Sequence, residues 1–245
     1  GGGEEGDLPI ITHISHTFDV AAIESKFSTP TAAADFLWGS SAAEQLAGGW
    51  GDDTVFGGAG ADTLAGNEGS DTLDGGDDSD VFVFNVGDGV DHIRDTGSFG
   101  SDAIAFGPGI TPEMLTLGLG SLLIRVGENG DLIHIEGFDP NNARDSSSIE
   151  LFQFADGTQL TYGELIERGI DIVGTGADDV LQGTNVNDRF TGGAGNDIYL
   201  FGRESGQDVI NDLDTAGLDT DTVLVSADIA PADLTVTRTS DFITL

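Results

Sequence analysis

Between Gly39 and Val83 a large apolar side chain recurs at every ninth residue: Leu46, Val55, Leu64, Leu73 and Phe82. The same interval returns later at Leu181, Phe190 and Tyr199. A helix would repeat near 3.6 residues and a half-buried strand at two, so nine is neither. The residues between the apolar positions are glycine and small polar types. From Gly39 the units read GSSAAEQLA, GGWGDDTVF, GGAGADTLA, GNEGSDTLD and GGDDSDVFV; from Gly174 they read GTGADDVLQ, GTNVNDRFT and GGAGNDIYL. Glycine lets the backbone take positive φ and turn tightly. The three residues after the turn make a strand just long enough to send one side chain inward. Each unit therefore predicts a turn and a short strand, and two units predict one coil. Units two apart then stack on the same side, about 4.8 Å apart. So many units in one phase mark a stacked repeat architecture.

The polar positions carry a second signal. An acidic residue fills the sixth place of every unit, so stacking brings Asp53 over Asp71, Asp62 over Asp80 and Asp179 over Asp197, each pair separated by two units. Two carboxylates about 4.8 Å apart repel by roughly 1 kcal/mol in water and several-fold more at an effective dielectric of 20. A Ca²⁺ midway between levels would lie about 2.4 Å from each, a Ca–O bond length. Carbonyls of the turns at Gly49, Gly51, Gly58, Gly60, Gly193 and Gly195 would complete an all-oxygen shell suited to a hard cation. The turn at Gly87–Asp91 is a G-x-G-x-D that comes slightly late, and Gly206 and Asp208 close the second block similarly. Asp71/Asp91 and Asp188/Asp208, both with this longer spacing, extend the ligand set, and Glu44/Asp62 is its outer edge. Each coil buries only about two inward side chains against a backbone ordering cost of about 1–2 kcal/mol per residue. Folding is expected to need the ion.

The units resemble the haemolysin-type (RTX) calcium-binding nonapeptide GGxGxDxUx, over Gly39–Asp95 and Gly174–Asp212. The resemblance implies parallel β-rolls with Ca²⁺ as the cofactor. Departures are Glu44 for aspartate, Asn67 and Asp78 for glycine, and Thr184 to Val186. The stretch 96–173 resembles the module often found beside such repeats, most clearly in SDAIAFGPGITPEML and LFQFADGTQLT. Membership would further imply export by type I secretion machinery through an uncleaved C-terminal signal. The chain would then be secreted or on the cell surface, folding where calcium is abundant.

The expected fold class is all-β, with two parallel β-roll blocks joined by a β-rich module and repeated in tandem. The expected segments are an N-terminal cap at 1–38, a first roll at 39–95, a β-rich module with a short helix at 96–173, a second roll at 174–212 and the start of another module at 213–245. Within the cap, Asp19–Phe27 and Thr31–Trp38 read as short helices, with Phe36, Leu37 and Trp38 covering the first open coil. Within the module, Ala103–Phe106, Leu122–Val126, Leu132–Glu136 and Ile149–Phe154 read as strands, and Thr161–Glu164 as a capping box opening a helix that Gly169 ends. Gly57–Asp95 matches Gly174–Asp212 at a shift of 117, and Asp102–Leu115 matches Asp221–Leu234 at 119. The sequence thus reads as one complete module and the opening of another, a piece of a longer array or a truncated last module. Ser240–Leu245 resembles the ending of some type I substrates, but the tandem match favours a strand there.

Composition narrows the function. Forty-four acidic residues against 8 basic ones give a net charge of −36, which excludes nucleic-acid binding and disfavours anionic membranes. There is no cysteine, hence no disulfide scaffold and no zinc–thiolate site. No apolar run is long enough to insert in a membrane as a helix. The HExxH of zinc proteases, a GxSxG elbow and a P-loop are all missing, so no enzyme is expected and no catalytic residue is assigned. His13 and His16 form an HxxH pair without a third ligand and read as strand residues. His92 reads as solvated, as do Glu136, Asp139, Glu150 and Asp156. The expected function is a calcium-binding repeat region of a large secreted bacterial protein, serving as scaffold, surface layer or adhesin array. Self-association or a cell-surface ligand would supply its partners. The alternative is the C-terminal secretion and folding region of an extracellular hydrolase or toxin whose catalytic domain lies elsewhere.

Overall fold

The computed structural model describes residues 33–97, 99–211, 219–235, 237–238 and 243–244. The helix expected at Asp19–Phe27 and the His13/His16 pair lie outside them. The chain divides into two compact units, Gly1–Asp139 with Ser146–Leu165, and Pro140–Asp145 with Ile166–Leu245.

The first unit opens with β1 (Phe36–Trp38), β2 (Gln45–Trp50), β3 (Thr54–Ala59), β4 (Thr63–Glu68), β5 (Thr72–Asp77), β6 (Val81–Phe84), β7 (Val90–Arg94) and β8 (Ala103–Phe106). Odd strands pair in parallel with odd, and even with even, forming two facing stacks. The register between strands is two repeat units, with Leu46 beside Leu64 and Val55 beside Leu73. It stretches slightly at the late turn, where Leu73 meets Ile93. Leu46, Val55, Leu64, Leu73 and Phe82 are all buried, so the eighth place is the core of the roll.

Residues 33–38, the described part of the helix expected at Thr31–Trp38, are not helical. Phe36–Trp38 is a strand whose residues pair with Thr54, Val55 and Phe56. Leu37 enters the core, while Trp38 stacks on Phe56 at 4.9 Å. A short, largely aromatic run suits a pleated surface better than a helix, and the unpaired edge of β3 supplies a partner.

The module then extends both stacks. β9 (Leu115–Gly118), β10 (Leu122–Val126) and β11 (Asp131–Ile135) form an antiparallel meander whose last strand continues in parallel beside β7. On the other stack, β12 (Leu151–Phe154) pairs in parallel with β8 and antiparallel with β13 (Gln159–Thr161). Phe84, Phe106 and Phe154 pack in sequence through its interior, at 6.4 and 5.0 Å between neighbouring rings. The helix α1 (Tyr162–Ile166) opens on a reciprocal cap: the Thr161 amide donates to Glu164 at 2.8 Å, and the Glu164 amide to Thr161 Oγ1 at 3.3 Å.

The second unit repeats the design with β14 (Ile170–Val173), β15 (Val180–Gln182), β16 (Asp188–Thr191), β17 (Ile198–Phe201), β18 (Val209–Ile210) and β19 (Thr222–Val225). β14, β16 and β18 are parallel neighbours, as are β15, β17 and β19. Ile172 lies beside Phe190, and Leu181 beside Tyr199, again at a separation of two units. Ile170–Val173 is thus a level of this stack, lying just before the Gly174 start read from sequence. Further on, β20 (Thr237–Arg238) and β21 (Ile243–Thr244) pair antiparallel.

Candidate metal centre

The turns hold the sixth-place acids in a ladder. Each such residue donates its backbone N–H to one oxygen of the acid on the next level. In the even stack the Glu44 amide donates to Asp62 Oδ1 (2.8 Å), Asp62 to Asp80 (2.8 Å), Asp80 to Asp102 (2.8 Å), and Asp102 to Glu150 Oε2 (2.8 Å). In the odd stack Asp35 donates to Asp53 (2.7 Å), Asp53 to Asp71 (2.7 Å), and Asp71 to Asp91 (3.1 Å). The second unit has Asp179 to Asp197 (2.9 Å), Asp188 to Asp208 (2.9 Å) and Asp197 to Asp221 (2.9 Å). The stacked acids of the sequence reading therefore have a protein partner that it lacked. At Asp53, Asp62, Asp71, Asp80, Asp91, Asp197 and Asp208 the ladder amide engages one oxygen and leaves the other.

That second oxygen divides the ladder into two kinds of level. Oδ2 of Asp53, Asp62, Asp71, Asp80, Asp91, Asp197 and Asp208 is buried and has no hydrogen-bond partner. At Asp179 and Asp188 it is satisfied from within the unit: the amides of Thr175 and Thr184 donate at 2.6 Å, and each threonine hydroxyl adds a bond. Glu44 is capped likewise by the Ser40 amide at 2.6 Å and by its hydroxyl. The distinction follows the second place of the unit. Where serine or threonine stands there, its hydroxyl also accepts from the amide two residues on, as Ala42, Ala177 and Val186 show. Where glycine stands there, as at Gly58 and Gly193, φ is +107° and +103°, the carboxylate has no such cap, and Oδ2 stays open.

The close approach of levels explains the glycines. A Cβ on Gly58 would lie 2.4 Å from the Ser40 carbonyl, and one on Gly76 would lie 2.0 Å from the Gly58 carbonyl; within a turn, one on Gly66 would lie 2.1 Å from Asp71 Oδ2. Gly49, Gly51, Gly60 and Gly195 also have positive φ. Asn67 and Asp78, which replace glycine in the motif, take φ of +67° and +78°. Asparagine and aspartate are the side chains that best tolerate this region, so both departures keep the turn.

Burial makes the open carboxylates reluctant to ionise. Desolvation pushes Asp53 and Asp80 up to about 6, Asp62 to about 7, Asp91 to about 8 and Asp208 to about 6. Backbone amides oppose the shift at Asp53, Asp62 and Asp80 without cancelling it. A row of buried, unpartnered, oxygen-only groups fits a hard cation in a way that it fits neither a phosphate nor an organic ligand.

Glu136 and Glu150 are exposed and His92 is half-exposed, as the sequence reading has them, but each also has a protein partner. Glu150 continues the even ladder. Glu136 bonds His92 Nδ1 at 2.8 Å, and the His92 ring stacks on His134 at 4.6 Å. Neither partner was legible in sequence because each pairing crosses a long stretch of chain without the repeat period. Asp102 was also missed, although GSFGSDAIA at Gly97–Ala105 has glycine in the first and fourth places, aspartate in the sixth and Ile104 in the eighth. Its longer spacing from Asp80 hid it.

Stacked nine-residue turns around an inward row of carboxylates define a metal-binding parallel β-roll. The RTX calcium-binding nonapeptide repeat matches four times, at residues 31–55, 47–82, 56–93 and 173–210. The haemolysin-type calcium binding protein related domain matches residues 122–164. Comparison with curated proteins gives no match. The chain thus carries RTX calcium-binding nonapeptide repeats in two blocks and, between them, their associated domain. Its repeats form a calcium-binding structural region.

Proposed function

We propose that Asp53, Asp62, Asp71, Asp80, Asp91, Asp197 and Asp208 are the calcium ligands, each through its second oxygen, with turn carbonyls around Gly49, Gly51, Gly58, Gly60, Gly193 and Gly195. Asp179 and Asp188 serve mainly to order their own turns. The observation that carries this reading is the row of buried Oδ2 atoms without a partner. A bound cation supplies the positive charge that lets these groups ionise inside the roll. The chain's own contribution is to hold one oxygen of each acid on a backbone amide and present the other.

On this reading calcium switches folding. A net charge of −36 opposes compaction until cations fill the turns. Such a region suits a secreted protein that crosses a type I exporter unfolded and assembles outside, where it acts as a scaffold or adhesive array. Partners at a cell surface and self-association belong to the same proposal. Far-UV circular dichroism tests the switch: little strand signal is expected in chelator and a cooperative gain on adding calcium. Equal strand content in both conditions would refute it.

A further inference from the structure

β19 is built as a second β8. Asp102–Leu115 aligns with Asp221–Leu234 at a shift of 119, and the two segments share their backbone contacts. The Asp80 amide donates to Asp102 Oδ1 at 2.8 Å, and the Asp197 amide to Asp221 Oδ1 at 2.9 Å. Phe82 and Phe84 lie beside Ile104 and Phe106; Tyr199 and Phe201 lie beside Val223 and Val225. After the strand, the Gly107 amide donates to the Phe84 carbonyl and the Ser226 amide to that of Phe201, both at 2.8 Å. A 3₁₀ turn follows each, at Pro112–Met114 and Pro231–Asp233.

The two strands differ at their far edge. β8 has β12 there, in parallel, with Phe152 beside Ile104 and Phe154 beside Phe106. The Asp102 carbonyl accepts the Leu151 amide at 3.1 Å, and the Asp102 amide donates to Glu150 Oε2 at 2.8 Å. Under that cover Ile104 and Phe106 are only 0% and 3% exposed. β19 is the last strand of the sheet β15–β17–β19, and among the described residues no strand pairs with its far edge. Val223, in the place of Ile104, is 40% exposed, and Leu224 beside it is 53% exposed. An open strand edge flanked by apolar side chains is a template for another strand.

The first module shows which strand fits. We infer that the far edge of β19 binds a parallel polypeptide strand with the chemistry of Glu150–Phe154. Its acid takes the Asp221 amide, and large apolar residues in the places of Phe152 and Phe154 cover Val223 and Val225. In the folded chain β12 is already held between β8 and β13, so a folded copy has no such strand to lend. The occupant is the second half of a module: a segment like 147–161 with no β8 of its own. Its pairing closes the open end of the second unit's core.

The test is a labelled synthetic peptide of residues 147–161, titrated with the full chain in saturating calcium. About 0.15 M salt screens the like charges of peptide and chain beyond about 8 Å. Fluorescence anisotropy reads binding, and amide exchange by mass spectrometry reads where it occurs. The expected result is saturable binding of one peptide per chain and about tenfold slower exchange in 222–225, with 45–77 and 103–106 unchanged. Phe152→Asp with Phe154→Asp in the peptide should weaken binding by at least about tenfold, because both charges would be buried against the roll. Val223→Asp in the chain should do the same at unchanged circular dichroism, since that side chain is exposed until the strand arrives. Absence of binding by the parent peptide would overturn the inference. Binding that survived both peptide aspartates would mark a general apolar surface and overturn it too. Changed exchange in 103–106 instead of 222–225 would mean that the peptide only displaces β12. Protection of 222–225 that grew with chain concentration, without peptide, would make a folded second copy the occupant and likewise overturn it.

Discussion

Asp62→Asn should act in opposite directions with and without calcium. Asp62 Oδ1 accepts the Glu44 amide at 2.8 Å, and its Oδ2 is buried without a partner. That amide dictates how the asparagine sits: carbonyl toward Glu44, NH₂ where Oδ2 was. A donor then points at the cation position. Losing one charged contact of about 1.5–3 kcal/mol weakens the site by roughly one to two orders of magnitude. In chelator the sign reverses. Burial holds the Asp62 carboxyl at about 7 instead of 3.8, so ionising it at higher pH costs about 4 kcal/mol, which asparagine does not pay. Residual structure without calcium should therefore rise. The assay is a calcium titration by circular dichroism at pH 8, with Glu128→Gln as the charge-matched control. Glu128 is exposed on the Gly127–Gly130 turn, and its variant should stay within about 0.5 kcal/mol of the parent. The Asp62→Asn midpoint should move to at least about tenfold higher calcium. A midpoint at or below that of Glu128→Gln would show that the aspartates form only a repelling acidic surface.

Without calcium, stability should fall as pH rises. Asp53, Asp62, Asp80, Asp91 and Asp208 have folded values of about 6 to 8, so between pH 4 and 8 the folded state holds more protons than the unfolded one. Their contribution is complete below about pH 4 and is lost as pH climbs through 6 to 8. Strand signal in chelator should thus be greater at pH 5 than at pH 8, and the reverse order would contradict the burial of these groups. Calcium affinity should show the opposite trend, weakening below about pH 6 as protons compete. Thr184→Gly should remove the hydroxyl bond to Asp188 Oδ2 and, by allowing residue 184 the positive φ that Gly193 takes, turn its amide away from that oxygen and let one more calcium bind per chain. An unchanged count in equilibrium dialysis would separate second-place identity from metal binding.

Much of the roll was legible because it depends on local chemistry with a fixed interval. Eighth-place residues such as Val55 and Phe82 had to be inward once glycine turns kept each strand short. The stacking of units two apart followed from the same count. What escaped arises between levels. The amide-to-carboxylate ladder appears only when Asp53 and Asp71 are placed one strand spacing apart in parallel register. The capping of Asp179 by Thr175 was visible as a serine or threonine at the second place, but its consequence for Oδ2 needed the turn geometry. Glu150 could not be found by period at all, because it lies far beyond Asp102 along the chain. Phe36–Trp38 was misread as helix because its partner strand β3 lies a full coil further along the chain and nothing local names it.

The most direct test of the central claim is a crystal structure grown in saturating calcium, with anomalous scattering used to locate the ions. The account predicts peaks within about 2.3–2.6 Å of the second oxygens of Asp53, Asp62, Asp71, Asp80, Asp91, Asp197 and Asp208. It also predicts that Thr175 and Thr184 remain on the second oxygens of Asp179 and Asp188. A well-ordered roll in which the seven open oxygens were met by water or protein, with calcium absent or scattered on the exposed carboxylates, would contradict it.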